Sequence, residues 1–106
     1  MSYRFMRLLV MFDLPTETSE DRRAYQHFRK ALIAHGFLML QESVYCRLLL
    51  TPSAKQSAME AIRKAKPKAG SVMALSVTEK QFAAMEFLVG AYHSEVLDTD
   101  ERLVIL

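Results

Sequence analysis

Apolar residues come in blocks along this chain, and each block has its own period. The first, "FMRLLVMFD" at residues 5–13, is an apolar run interrupted by Arg7 and closed by a single acid, Asp13. Leu8 to Phe12 does not alternate with polar residues, which predicts a central strand covered on both faces. Pro15 ends it. In the next block, residues 16–36, the spacing changes: Tyr25, Phe28 and Leu32 fall at i, i+3 and i+7. That stripe predicts an amphipathic helix, with Thr18 or Ser19 as its N-cap, Glu20 and Asp21 at the positive end of its dipole, and Gly36 at its C-terminal cap. Its polar side carries Arg22, Arg23, Arg29 and Lys30.

"FLMLQESVYCRLLL" reads as two strands, or one bent strand, broken near Gln41 to Ser43. In its second half Val44, Cys46, Leu48 and Leu50 alternate with Tyr45, Arg47 and Leu49, giving a core face and a mixed face. Pro52 and Ser53 open a second helix. Ser53 and Gln56 have capping-box spacing, Ala58, Met59, Ile62 and Ala65 form the apolar side, and Lys66-Pro67 closes it. "GSVMALSV" is a further strand, "TEKQFAAMEFLVG" a short helical turn followed by a short strand, and "ERLVIL" a terminal strand. The order βαββαβ is that of an α+β, ferredoxin-like fold, with a core at residues 1–80 and an extension at 81–106 whose strands pair with a partner or the other protomer. Two helices cover only one face of such a sheet. A two-fold, sheet-to-sheet homodimer is the economical cover for the other, and it brings two copies of Asp13 near one axis.

Length and composition sharpen this picture. At 106 residues the chain holds one domain, and 51% hydrophobic residues are many for so small a core, which again favours a partner surface. A single cysteine, Cys46, points to a reducing, cytoplasmic setting, and no apolar stretch reaches the roughly 20 residues needed to span a membrane. Net charge is +2, yet residues 22–80 hold eleven Lys or Arg against three acids while both ends are acidic. A basic middle of this kind suits a polyanion.

Candidate chemistry is sparse. Asp13 either closes a turn before Leu14-Pro15 by accepting backbone N–H bonds, or is a magnesium ligand. One carboxylate is a poor divalent site, whereas two copies of Asp13 across a dimer meet the minimum and allow phosphodiester chemistry. Ser43 and Tyr45 near the strand break either close a turn and pack, or reach a phosphate. His27, His35 and His93 lack metal-ligand spacing, Cys46 reads as core, and no phosphate-binding glycine loop exists. A metabolite-sensing module is disfavoured, because "DLPTETSE" offers no glycine turn after the first strand. Arg22, Arg23, Arg29 and Lys30 with Lys64, Lys66 and Lys68 form the candidate DNA-binding set. They lack the interleaved aromatics of single-strand binders, so duplex is the more natural ligand.

Taken together, "MFDLPTET", a basic helix ending "HGF", "QESVYCRLLL" and "GSVMALSVTEKQF" closely resemble the second CRISPR-associated protein family (Cas2), its type II-A members in particular. The resemblance implies a dimeric subunit of CRISPR adaptation that spans a duplex prespacer between two dimers of the CRISPR integrase (Cas1). It also implies that some relatives are magnesium-dependent endonucleases on single-stranded RNA or double-stranded DNA. It assigns the metal and catalytic role to Asp13 and backbone contacts, by position, to Arg22, Arg23, Arg29 and Lys30. "ERLVIL" is expected to add a strand to a neighbour. One departure bears on catalysis: nuclease-active relatives carry further polar residues beside the acid, and here Val10, Met11 and Phe12 are apolar.

Overall fold

The computed structural model describes residues 5–90. Strand β1 (Met6–Asp13) is followed by helix α1 (Ser19–Ala34), β2 (Leu38–Gln41), β3 (Val44–Leu49), α2 (Pro52–Ala65), β4 (Ser71–Thr78) and the short α3 (Glu79–Ala83). The strands form one antiparallel sheet in the order β2-β3-β1-β4. Among the described residues the result is an α+β fold of four strands and three helices.

Each helix end has a local cause. Thr18 caps α1: its hydroxyl accepts from the Asp21 amide at 3.0 Å, and the Asp21 carboxylate accepts from the Thr18 amide at 3.2 Å. At the other end Gly36 takes φ +86°, the Phe37 amide donates to the Leu32 carbonyl and the Gly36 amide to Ile33, a complete Schellman motif. The cap of α2 differs from expectation. Thr51, rather than Ser53, accepts from the Ala54 amide, because Pro52 has no N–H to lose and belongs at the first helical position. Ser53 instead hydrogen-bonds the Thr51 hydroxyl at 3.1 Å.

β1 divides the molecule into two cores. Leu8, Val10 and Phe12 face the helices, where Phe28 and Leu32 of α1 and Ala58 and Ile62 of α2 bury them together with Tyr45 and Leu49. The faces of β3 are therefore opposite to the simplest reading of its pattern: Tyr45 and Leu49 meet the helices, and Cys46 lies on the far side. Phe12 is the hub, edge-on to Phe28 at 5.1 Å and stacked on Tyr45 at 5.8 Å between ring centres.

Behind the sheet, Phe82 of α3 covers Cys46 and Leu40, with Leu9, Leu38, Val44, Val77 and Met85 around them. Arg7 holds this cover in place. It is 3% exposed, donates from Nε to Glu79 at 2.6 Å and lies 4.6 Å over the Phe82 ring. The cover is partial, since Leu48, Met73 and Leu75 on the same face remain 38%, 59% and 53% exposed. No strand forms at 85–90, contrary to the pattern-based expectation. Leu88 and Val89 are exposed there, and among the described residues no strand pairs with this segment, so it stays irregular. The strand expected at "ERLVIL" lies outside the described residues, as does His93.

Candidate nucleic-acid interface and the Asp13 cleft

The strand ends of β1 and the β2–β3 hairpin, the start of α1 and the segment after α2 meet at one end of the molecule. Asp13 is the last residue of β1, paired with Ser71 and exposed. Among the described residues its carboxylate takes no hydrogen bond and no ion pair, so the turn-closing bonds that would explain it structurally are absent. Its backbone is nonetheless tightly set. A Cβ at Gly70, where φ is +92°, would lie 2.6 Å from the Asp13 carbonyl oxygen and 2.8 Å from Leu14 Cδ2. Only glycine lets the 66–70 segment pass this close.

Asp13 opens onto a cleft of about 350 Å³ shared with Arg22, Tyr25, Gln26, Glu42 and Ser43. The hairpin places Ser43 at φ +65°, an unfavourable conformation for a side-chain-bearing residue, and its carbonyl accepts from the Phe12 amide at 3.0 Å. The Ser43 and Tyr25 hydroxyls are 3.3 Å apart. Of the two hydroxyl candidates, Ser43 therefore lines the cleft and Tyr45, 1% exposed, belongs to the core. Arg22 reaches the cleft while donating from Nη1 to the Thr16 and Glu17 carbonyls at 3.1 and 3.0 Å, which fixes the loop between β1 and α1.

One chain brings two carboxylates, Asp13 and Glu42, to this cleft. Among the described residues no group of three or more His, Cys, Asp or Glu could hold a metal ion, and Arg22 puts a positive charge into the same cleft. A copy of Asp13 from another chain would add to Asp13 and Glu42.

A second, larger cleft of about 550 Å³ lies across Leu14 and Tyr25, which line both. It collects Arg23 and His27 from α1, Lys64 from α2, and Lys66 and Lys68 from the segment that follows. Four of the seven candidate cations thus share one concave surface and Arg22 the adjoining one, while Arg29 and Lys30 line neither. Helix geometry accounts for the division. Arg22 and Arg23 point about 100° apart, and Arg29 and Lys30 lie seven residues, about 10 Å, further along the axis. His27, one turn beyond Arg23 on the same face, is a member that spacing for metal ligands did not reveal; the i, i+4 relation to Arg23 is the signal for it.

A four-stranded antiparallel sheet backed by two helices, with cations gathered at one end, defines the class of small α+β protein to which this chain belongs. The family model described as CRISPR associated protein Cas2 matches residues 6–85. A CRISPR-associated endoribonuclease Cas2 of Treponema denticola is 50% identical over 101 residues, covering 95% of this chain and 100% of that protein. One from Streptococcus mutans serotype c is 46% identical over 101 residues, covering 95% and 93%. The crystal structure of Streptococcus pyogenes Cas2 at pH 6.5 superposes with a TM-score of 0.62 at 23% identity over 78% of this chain and 99% of that one, a likeness of fold. The chain belongs to the CRISPR-associated Cas2 family.

Proposed function

We propose that this chain is a dimeric, type II-A-like subunit of CRISPR adaptation, working in the cytoplasm, that binds duplex prespacer DNA without sequence preference and bridges dimers of the Cas1 integrase. The observation that carries the reading is the shared cleft of Arg23, Lys64, Lys66 and Lys68. These are point charges and a guanidinium on a concave surface from which, among the described residues, no helix or strand protrudes, which suits phosphate contacts rather than base readout. The extension at 81–106 pairs, in this reading, with a partner or the other protomer. Duplex affinity measured against salt checks the binding claim. It should fall steeply and equally for unrelated sequences, and Lys66→Ala with Lys68→Ala should flatten the logarithmic slope by about 2. Affinity indifferent to salt contradicts it.

The dimer in this reading is ferredoxin-like and packs sheet to sheet. Its support is the apolar patch of Leu48, Met73 and Leu75 on the face the helices leave open. A charge placed there costs several hydrophobic contacts and is left without a partner on burial. Wild-type protein should sediment as a dimer and Leu75→Asp as a folded monomer; a variant that remains dimeric places the interface elsewhere.

A second reading, magnesium-dependent cleavage of single-stranded RNA or double-stranded DNA, is favoured by the exposed, unpartnered Asp13 and by the endoribonuclease names of the relatives. Two Asp13 residues of a dimer would supply a carboxylate pair in addition to Glu42, which lines the same cleft in each chain. Labelled RNA and duplex incubated with and without magnesium test it. Cleavage present in wild type and lost in Asp13→Ala, with duplex binding retained, supports a catalytic Asp13. Equal cleavage by both proteins removes Asp13 from that role.

A further inference from the structure

The larger cleft carries more apolar lining than a track for phosphates requires. Its volume of about 550 Å³ falls within the ~300–1,000 Å³ typical of sites that enclose a small ligand. Leu14, Pro15, Tyr25 and Pro67 are among its lining residues, with Leu14 mostly buried beneath it. A flat aromatic or heteroaromatic group gains from such surroundings, whereas a phosphate gains nothing from them. The cations Arg23, Lys64, Lys66 and Lys68 line the same cleft. Glu20 adds an exposed acceptor, while the neighbouring Asp21 is committed to the helix cap. Anion-binding groups, apolar lining and a carboxylate that can accept from hydroxyl or amino donors are together the complement of a nucleotide.

We propose that this cleft binds one unstacked nucleotide, with its phosphate on Arg23 and the lysines and its base against Leu14, Pro15, Pro67 and Tyr25. The ligand chemistry is that of a nucleoside monophosphate, met either free or as an unpaired residue of a strand. The second source rests on the polyanion reading above; the first does not.

Two probe pairs test it on the full chain. Adenosine 5′-monophosphate is compared with inorganic phosphate by amide chemical-shift titration, and a blunt duplex with the same duplex carrying one unpaired terminal nucleotide by fluorescence anisotropy. At least one pair should differ by about five-fold or more in favour of the nucleotide, with shifts at residues 23–27 and 64–69 in the first pair. Discrimination confined to the free nucleotide identifies the first source, and discrimination confined to the duplex end the second. Ala24→Leu and Ala69→Leu, which fill the cleft without altering charge, should each bring the ratio to one; Ala69 is exposed, so its variant is expected to fold. Equal binding within both pairs, or discrimination that survives both variants, overturns the proposal. A blunt duplex that fails to bind at low salt instead overturns the polyanion reading and leaves the free-nucleotide pair to decide this one.

Discussion

The architecture depends on β1 being used on all four sides. Its edges pair with β3 and β4, Leu8, Val10 and Phe12 anchor the helices, and Leu9 and Arg7 anchor the cover behind the sheet. A strand so constrained cannot slip by one residue without exchanging its two faces. Its last residue, Asp13, is therefore held at a fixed height above the sheet end, although among the described residues its carboxylate takes no hydrogen bond or ion pair. The close approach of Gly70 completes that fixation from the neighbouring segment.

The two ends of β1 have different electrostatics. Near its start, Arg7 is desolvated and offset by Glu79 and the Phe82 ring. Removing Glu79 is costly because Arg7 stays buried without that carboxylate, whereas Glu79 itself is a third exposed, so the pair helps fix where α3 sits. Near the far end the charges gather around clefts: Arg23, Lys64, Lys66 and Lys68 outnumber Glu20 and Asp21 in the larger, and Arg22 meets Asp13 and Glu42 in the smaller. Self-repulsion there is tolerated in water and relieved by a polyanion, which links the local fold to the proposed function.

Much of this was legible in the residues. The unbroken apolar run Leu8 to Phe12 of β1, the stripe of Tyr25, Phe28 and Leu32, Gly36 as helix terminator and Lys66-Pro67 as stop all reflect local rules that the fold obeys. The orientation of β3 was not legible, because its two faces are comparably apolar. The choice is made by the Glu42-Ser43 turn and by the register that sets Tyr45 opposite Val10. The Arg7–Glu79 pair spans 72 residues, beyond any local pattern. Of the site, Asp13 was visible as an acid closing an apolar strand. The grouping of Arg23 with Lys64, Lys66 and Lys68, and their separation from Arg29 and Lys30, needed the packing of α1 on α2.

The central claim is that one end of the molecule, built by the start of α1 and the segment after α2, is the nucleic-acid interface. Hydrogen–deuterium exchange of the wild-type protein with and without a blunt duplex reads this directly. The account predicts that duplex slows exchange at residues 22–27 and 64–70 and leaves the amides of the open sheet face in β4 unchanged. Protection concentrated in β4, with none at the start of α1 or after α2, would contradict it.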